Sequence, residues 1–382
     1  MMTRFGKFLL GRRIFVASLL LVSLVGRPLP AQQTKKAKPV ASVPRDWEQQ
    51  AYQKTKTAEK TDEYSEIIDL CKNALRTKLS SAKTDYAKRL LSWAYNRRGE
   101  SLVDQAEAIT DKTKIAEVKK LESQALHDFN ASIKTDPNRW RAIHNRAVSL
   151  AQAGKHEESL QDFARTIELR PKFASAWFNR AEIRYQLGRY TEALKDYDQA
   201  IRLKNDDIEA YNGRGHVYYR LGKYDQAWES YNQAVERAPQ DAVSYVNRAD
   251  ASADLARWEK AAKDYRQAIK LDKNLARAYQ GAAWLMATCP DDRYRQPELA
   301  IEAAKKAIEL AGANDYRSLD TLAAAQASLG QYEQAQATLG EAIQAAPENA
   351  VPRLSKRMAS YQAGKPYRAV ARVAAKARSE NR

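Results

Sequence analysis

The chain predicts an all-α fold of stacked helix–turn–helix units, and three observations carry that expectation. A pattern spanning 174–241 repeats at an offset of 34 residues, pairing Gly188 with Gly222, Tyr190 with Tyr224, Ala193 with Ala227 and Ala200 with Ala234. Small residues recur in register along the following and preceding sequence. Glycine (14) and proline (12) are few among 382 residues, while alanine, glutamine and charged side chains dominate, which suits helices. A period of this length marks a repeat array in which each hairpin completes its core only against its neighbours.

With Ala174 as position 1, position 8 reads Ala147, Ala181, Gly215, Ala249, Ala283 and Ala323. Position 20 reads Ser159, Ala193, Ala227, Ala261, Ala300 and Ala335, and position 27 reads Thr166, Ala200, Ala234, Ala268, Ala307 and Ala342. Small residues there let two helices approach, and large ones such as Trp177, Tyr190 and Tyr197 fill the space between them. This pattern resembles the tetratricopeptide repeat. The resemblance implies a right-handed superhelical solenoid, whose first helices line a concave groove that binds proteins or peptides.

Residues 1–31 read as a secretory signal peptide. Arg4, Lys7, Arg12 and Arg13 precede an apolar run from Ile14 to Val25, and Leu29-Pro30-Ala31 offers a cleavage point. That run is shorter than the ~20 apolar residues a membrane span needs. Arg12-Arg13-Ile14-Phe15 resembles a twin-arginine core, so the twin-arginine and general secretory routes both stay open. Export to a bacterial periplasm or beyond the cell is the expected localisation. Residues 32–45 then read as a flexible linker.

Residues 46–137 read as atypical N-terminal repeats. Asp46 is expected to cap a first helix, Tyr64, Ile67, Ile68 and Cys71 give the stripe of a second, and a 14-residue insertion between Gly99 and Ala125 lengthens the next pair, with its turn near Thr110–Thr113. Residues 138–275 hold four regular units, with Pro171 and Pro239 in inter-repeat turns. Residues 276–349 hold two more, the first interrupted by a loop at 288–297 between Pro290 and Pro297. Residues 350–382 read as a basic C-terminal cap, with a closing helix over 369–378.

The net charge of +17 is unevenly placed. Residues 1–31 hold five basic and no acidic residues, 140–312 hold 28 against 25, and 353–382 hold nine against one. A near-neutral centre argues against a nucleic-acid groove along the repeats.

Arginine at position 7 (Arg98, Arg146, Arg180, Arg214, Arg248) recurs with aspartate at position 23 (Asp128, Asp162, Asp196, Asp264), and matched recurrence predicts ion pairs between the two helices of a repeat. Only the Arg214 unit breaks the match, with Ser230. The four histidines (His127, His144, His156, His216) make no i,i+4 pair, so no metal site is expected. Cys71 and Cys289 are expected as free thiols. With no phosphate loop, nucleophile elbow or placed carboxylate pair, neither enzyme activity nor a cofactor is expected.

The resemblance assigns the groove to Arg141, His144, Phe178, Glu182, Tyr185, Asn212, His216, Tyr219, Arg220, Asp250, Arg277 and Trp284, with Glu209 and Asp254 beside them. The family's two-carboxylate clamp for chaperone C-termini is absent, since Phe178 and Val246 replace its lysine and Glu182 and Asp250 its asparagine. Aromatics among charges suit an extended peptide or partner helix. The expected function is a protein-interaction scaffold of the cell envelope. The alternative is an envelope assembly factor in peripheral contact with anionic membrane or cell-wall polymer through its basic tail.

Overall fold

The computed structural model describes residues 46–371; the expected signal segment, the linker and residues 372–382 lie outside them. Seventeen α-helices and no strand occur among the described residues, in two compact units that divide between Leu203 and Lys204. The all-α class and the hairpin repeat are as the sequence predicts. No described helix is long and apolar enough to cross a membrane.

The first unit holds α1 (Trp47–Thr57), α2 (Thr61–Leu75), α3 (Ser81–Ala108), α4 (Ile115–Thr135), α5 (Trp140–Gln152), α6 (His156–Leu169), α7 (Ala174–Gln186) and α8 (Tyr190–Leu203). The insertion lengthens both α3 and α4 and a 3-10 turn at Lys112–Lys114 joins them, as expected from the spacing. One detail differs. Asp46 precedes α1 without capping its backbone, because its carboxylate accepts instead from the Gln50 side-chain amide at 3.0 Å.

The second unit holds α9 (Ile208–Arg220), α10 (Tyr224–Arg237), α11 (Ala242–Asp254), α12 (Trp258–Leu271), α13 (Ala276–Thr288), α14 (Pro297–Ala311), α15 (Tyr316–Ser328), α16 (Tyr332–Ala345) and α17 (Val351–Gln362). Asp207, Asp241 and Asp315 accept the backbone N–H of Ala210, Ser244 and Ser318, satisfying donors that a helix start leaves orphaned. The interrupting loop is stitched down. Gln296 N–H donates to the Met286 carbonyl at 3.0 Å, and Arg295 Nη1 donates to the carbonyls of Cys289 and Pro290 at 2.9 Å each.

The alanine columns do what their size allows. Ala181, Ala193, Ala200, Ala227, Ala234, Ala249, Ala261 and Ala268 are fully buried, and the rings of Tyr197, Tyr231 and Tyr265 sit among them. At Gly215 even a methyl is too large, since a Cβ there would lie 2.4 Å from Tyr231 Cε1. Gly215→Ala is therefore expected to cost ~1–3 kcal/mol by forcing a buried ring to move. Urea unfolding at the wild-type midpoint would show that the ring yields freely.

Each regular hairpin turns through one residue with positive φ: Gly154 (77°), Gly188 (75°), Gly222 (72°) and Gly330 (85°). The following N–H closes back on the helix, as Arg189 does on the Arg184 carbonyl at 2.8 Å. In the α11–α12 turn the same place is taken by Ala256, at φ 56°, whose Cβ disfavours that conformation. Ala256→Gly is expected to stabilise the protein by ~0.5–1 kcal/mol, read as a raised melting temperature. A lower melting temperature would show that the turn is not strained.

The chain end departs from the sequence expectation. Gly364 (φ 64°) ends α17, Pro366 follows, and residues 365–371 carry no helix, so the closing helix expected over 369–378 does not begin at 369. The reason is tertiary. The Ala369 N–H is used on the Thr288 carbonyl at 2.8 Å, which holds this stretch against α13.

Candidate functional site

The arginine–aspartate series forms, helix to helix, within each repeat. Arg98 grips Asp128 through Nε and Nη2 at 2.7 Å each, Arg146 grips Asp162 at 2.6 and 2.7 Å, Arg180 grips Asp196 at 2.8 Å twice, and Arg248 grips Asp264 at 2.8 and 2.7 Å. Where Ser230 breaks the series, Arg214 donates to its hydroxyl at 3.2 Å and to Gln233 at 2.7 Å. These arginines are structural ties and leave the ligand role to other positions.

In the first unit the first-helix face is fixed by amides. Asn145 Nδ2 donates to Asn96 at 3.1 Å and to Glu100 at 2.8 Å, and Asn179 Nδ2 meets His144 Nε2 at 3.2 Å. The His144 ring stands edge-on to Phe163 and Phe173, at 5.6 and 5.0 Å between centroids. Burial pulls its pKa down to about 4, against an opposing hydrogen bond to the Asn145 side-chain oxygen. The accepting Nε2 accordingly belongs to a neutral ring. Arg141 is exposed and lies over Trp140 at 4.6 Å, and Tyr185 packs on Tyr190 at 5.9 Å.

Two expected groove residues are not at the surface. Phe178 is 6% exposed and packs on Tyr197 at 6.0 Å, and Glu182 is fully buried as acceptor for the Tyr197 hydroxyl. A carboxylate removed from water needs a donor, and the tyrosine at position 24 supplies it from the second helix. Neither residue can touch a partner directly.

The second unit repeats the arrangement with more charge. Asn247 Nδ2 donates to Asn212 Oδ1 at 2.9 Å, and Asn212 Nδ2 donates to Ser244 Oγ at 2.8 Å. Arg277 then donates to Asn247 Oδ1 at 2.8 Å and to Asp250 Oδ2 at 2.5 Å, while the Tyr265 hydroxyl donates to the other oxygen of Asp250 at 2.6 Å. The Tyr219 hydroxyl donates to Asp254 across adjacent first helices, and its ring stands edge-on to Tyr224 at 5.3 Å. His216 lies 5.6 Å from the Tyr231 ring. Burial first, and the positive charge of Arg277 second, pull its pKa to about 4, with the Asn247 side chain opposing them. Glu209 and Arg220 are exposed on α9.

Asn212, Asp250 and Arg277 are thus joined through Asn247, with His216 in the field of Arg277, while Tyr219 is held separately on Asp254 and Tyr224. Trp284 stands apart from them. It lies beneath Tyr367, 5.8 Å between ring centroids, with the Arg357 guanidinium 4.7 Å from its own ring. Sequence reasoning passed over Asn96, Glu100, Asn179 and Asn247 as parts of the face. For Asn179 and Asn247 the available signal was asparagine recurring at position 6, one residue before the recurring arginine; Asn96 and Glu100 fall outside it.

Among the described residues no three His, Cys, Asp or Glu side chains are placed to hold a metal. Cys71 and Cys289 are both buried free thiols, and burial pushes Cys71 up to about 12, where it is inert as a nucleophile near neutral pH.

A "TPR repeat" family model matches residues 181–222, and "Tetratricopeptide repeat" models match 208–241, 242–275 and 316–349. Among curated proteins, none matches. Solved structures with a similar arrangement include yeast Tom70 (18% identity, 79% of this chain and 59% of that one, TM-score 0.46). A tetratricopeptide repeat protein from Parabacteroides merdae is similar at 18% identity, over 72% of this chain and 96% of that one, with TM-score 0.41. YrrB, described as a TPR protein with an unusual peptide-binding site, is similar at 20% identity over 51% and 97%, with TM-score 0.39. Tetratricopeptide-repeat models thus match residues 181–275 and 316–349, where the 34-residue register and the helical hairpins lie.

Proposed function

We propose that this protein is a non-enzymatic interaction scaffold of the cell envelope, holding an extended segment or helix of a partner protein on the first-helix faces of its repeats. The observation that carries the reading is the preorganised face of α9, α11 and α13. Arg277 is locked onto Asp250 and Asn247, and Tyr219 onto Asp254, so little side-chain freedom remains to be lost on binding. Tetratricopeptide repeats with such faces suit peptide recognition, with aromatic side chains as anchors and charges setting register. Export follows from the basic and apolar pattern of residues 1–31, and fractionation is expected to recover the protein outside the cytoplasm.

A photo-crosslinker placed at Arg220, beside the preorganised face, should capture a discrete partner, and Tyr219→Ala should lower the yield several-fold while the helical circular dichroism stays unchanged. Equal yields would refute the face. The basic excess of 353–382 favours one further reading, contact with anionic membrane. Replacing Arg372, Lys376 and Arg378 by glutamine should then reduce co-sedimentation with phosphatidylglycerol vesicles at low salt; equal sedimentation would exclude it.

A further inference from the structure

The last described residues run back along the second unit and bind it as a ligand would. Tyr367 stacks beside Trp284 of α13, and the Arg357 guanidinium of α17 lies 4.8 Å from the Tyr367 ring and 4.7 Å from the Trp284 ring. Arg357 is itself held by a buried ion pair with Asp320 of α15. The next two residues of the segment read the C-terminal end of α13. Ala369 N–H donates to the Thr288 carbonyl at 2.8 Å, and Arg368 Nη1 approaches the Ala287 carbonyl and Ser328 Oγ at 3.3 Å each.

The chemistry of that face is specific. The last carbonyls of a helix have no partner within it and carry its negative dipole end, so they favour an N–H and a guanidinium. The cleft above the Arg357 guanidinium favours an aromatic ring stacked on the cation. An aromatic residue followed by arginine, in extended backbone, meets both demands at once.

Asp320 Oδ1, Arg357 Nε and the Tyr361 hydroxyl are buried with no hydrogen-bond partner, and each such group costs stability. Val370 is half exposed. The segment is held by one backbone hydrogen bond and two 3.3 Å contacts of Arg368 beside the Tyr367 ring, few enough for another occupant to displace it.

We propose that the face formed by α13, α15 and α17 is a docking site for an extended partner segment bearing an aromatic residue followed by arginine, and that residues 367–369 of this chain occupy it in the free protein. This deepens the scaffold reading and rests on it. Trp284 is then a groove anchor, as the resemblance implies, and is covered until a partner displaces the resident segment.

The test uses the full chain and a labelled peptide, Lys-Pro-Tyr-Arg-Ala-Val-Ala, that copies residues 365–371. Binding measured by fluorescence anisotropy should be at least about tenfold tighter to the Tyr367→Ala/Arg368→Ala protein than to wild type, which corresponds to ~1.4 kcal/mol. Adding Trp284→Ala should abolish the gain. Equal affinity for wild type and the double variant, or binding indifferent to Trp284→Ala, overturns the proposal. Should the double variant lose helical structure, hydrogen exchange on the wild-type protein decides instead. Excess peptide should speed exchange at Ala369 and leave α15 unchanged; unaltered protection at Ala369 overturns the proposal. Self-association that the double substitution abolishes would assign the face to a second copy and overturn the partner assignment. Crosslinking from Arg220 reports on the scaffold reading separately, so either can fail without the other.

Discussion

Asp196→Ala is expected to destabilise the first unit by ~3–5 kcal/mol, because it strands buried positive charge. Asp196 is 1% exposed and accepts from Arg180 twice at 2.8 Å and from Arg184 at 2.6 Å. Its removal leaves Arg180 without its carboxylate and Arg184 with only the half-exposed Glu192 of α8, 3.6 Å away. Arg180→Ala should cost less, since Arg184 still neutralises the carboxylate. In a double-mutant cycle Arg180 and Asp196 should couple by ~0.5–3 kcal/mol, read from urea midpoints. By contrast the exposed pair Arg165–Glu168 should contribute ~0–1 kcal/mol when broken. Additive effects of Arg180→Ala and Asp196→Ala would mean that the bidentate contact does not join the helices energetically.

Acidification should destabilise both units through one histidine each. Burial holds the pKa of His144 and His216 at about 4, below the ordinary 6.5 that each regains on unfolding. The unfolded chain therefore binds protons first as the pH falls. The stability contributed by the neutral rings is fully present above the unfolded value and is lost on descending toward the folded one. Each ring accounts for up to about 3 kcal/mol over that window, at 1.36 kcal/mol per pKa unit. His216→Gln should flatten the decline in thermal stability between neutral pH and about pH 4, and a variant with the wild-type slope would show that the ring is not held neutral. Arg277 gives a second handle. Arg277→Gln removes a positive charge that disfavours the imidazolium, so the folded pKa should rise toward the unfolded one and the decline should be smaller and end at a higher pH.

The repeat was legible because its physics is local and periodic. A small residue every 34 positions reports a helix crossing, and an arginine matched to an aspartate reports a tie between helices. The long pair α3 and α4 was equally legible, since the spacing from Gly99 to Ala125 has no other economical solution. The face was read less well. Phe178 and Glu182 occupy positions that line a groove in related repeats, yet each is drawn inward by Tyr197 of the following helix. The same position 9 carries Asp250 in the second unit, and there a carboxylate stays partly accessible because Arg277 and Tyr265 share it. A position label does not distinguish the two outcomes; the neighbours supplied by adjacent helices do.

By itself the sequence determined the repeat register, the small-residue columns, the helix-to-helix ion pairs and the place of the one interrupted unit, since each depends on residues within a hairpin or its immediate neighbour. Tertiary structure decided which polar groups face outward and where the chain end goes. Residues 365–371 hold apolar and basic side chains compatible with a helix, and they stay extended because the carbonyl of Thr288, 81 residues earlier than Ala369, offers their backbone a better partner than the chain itself does.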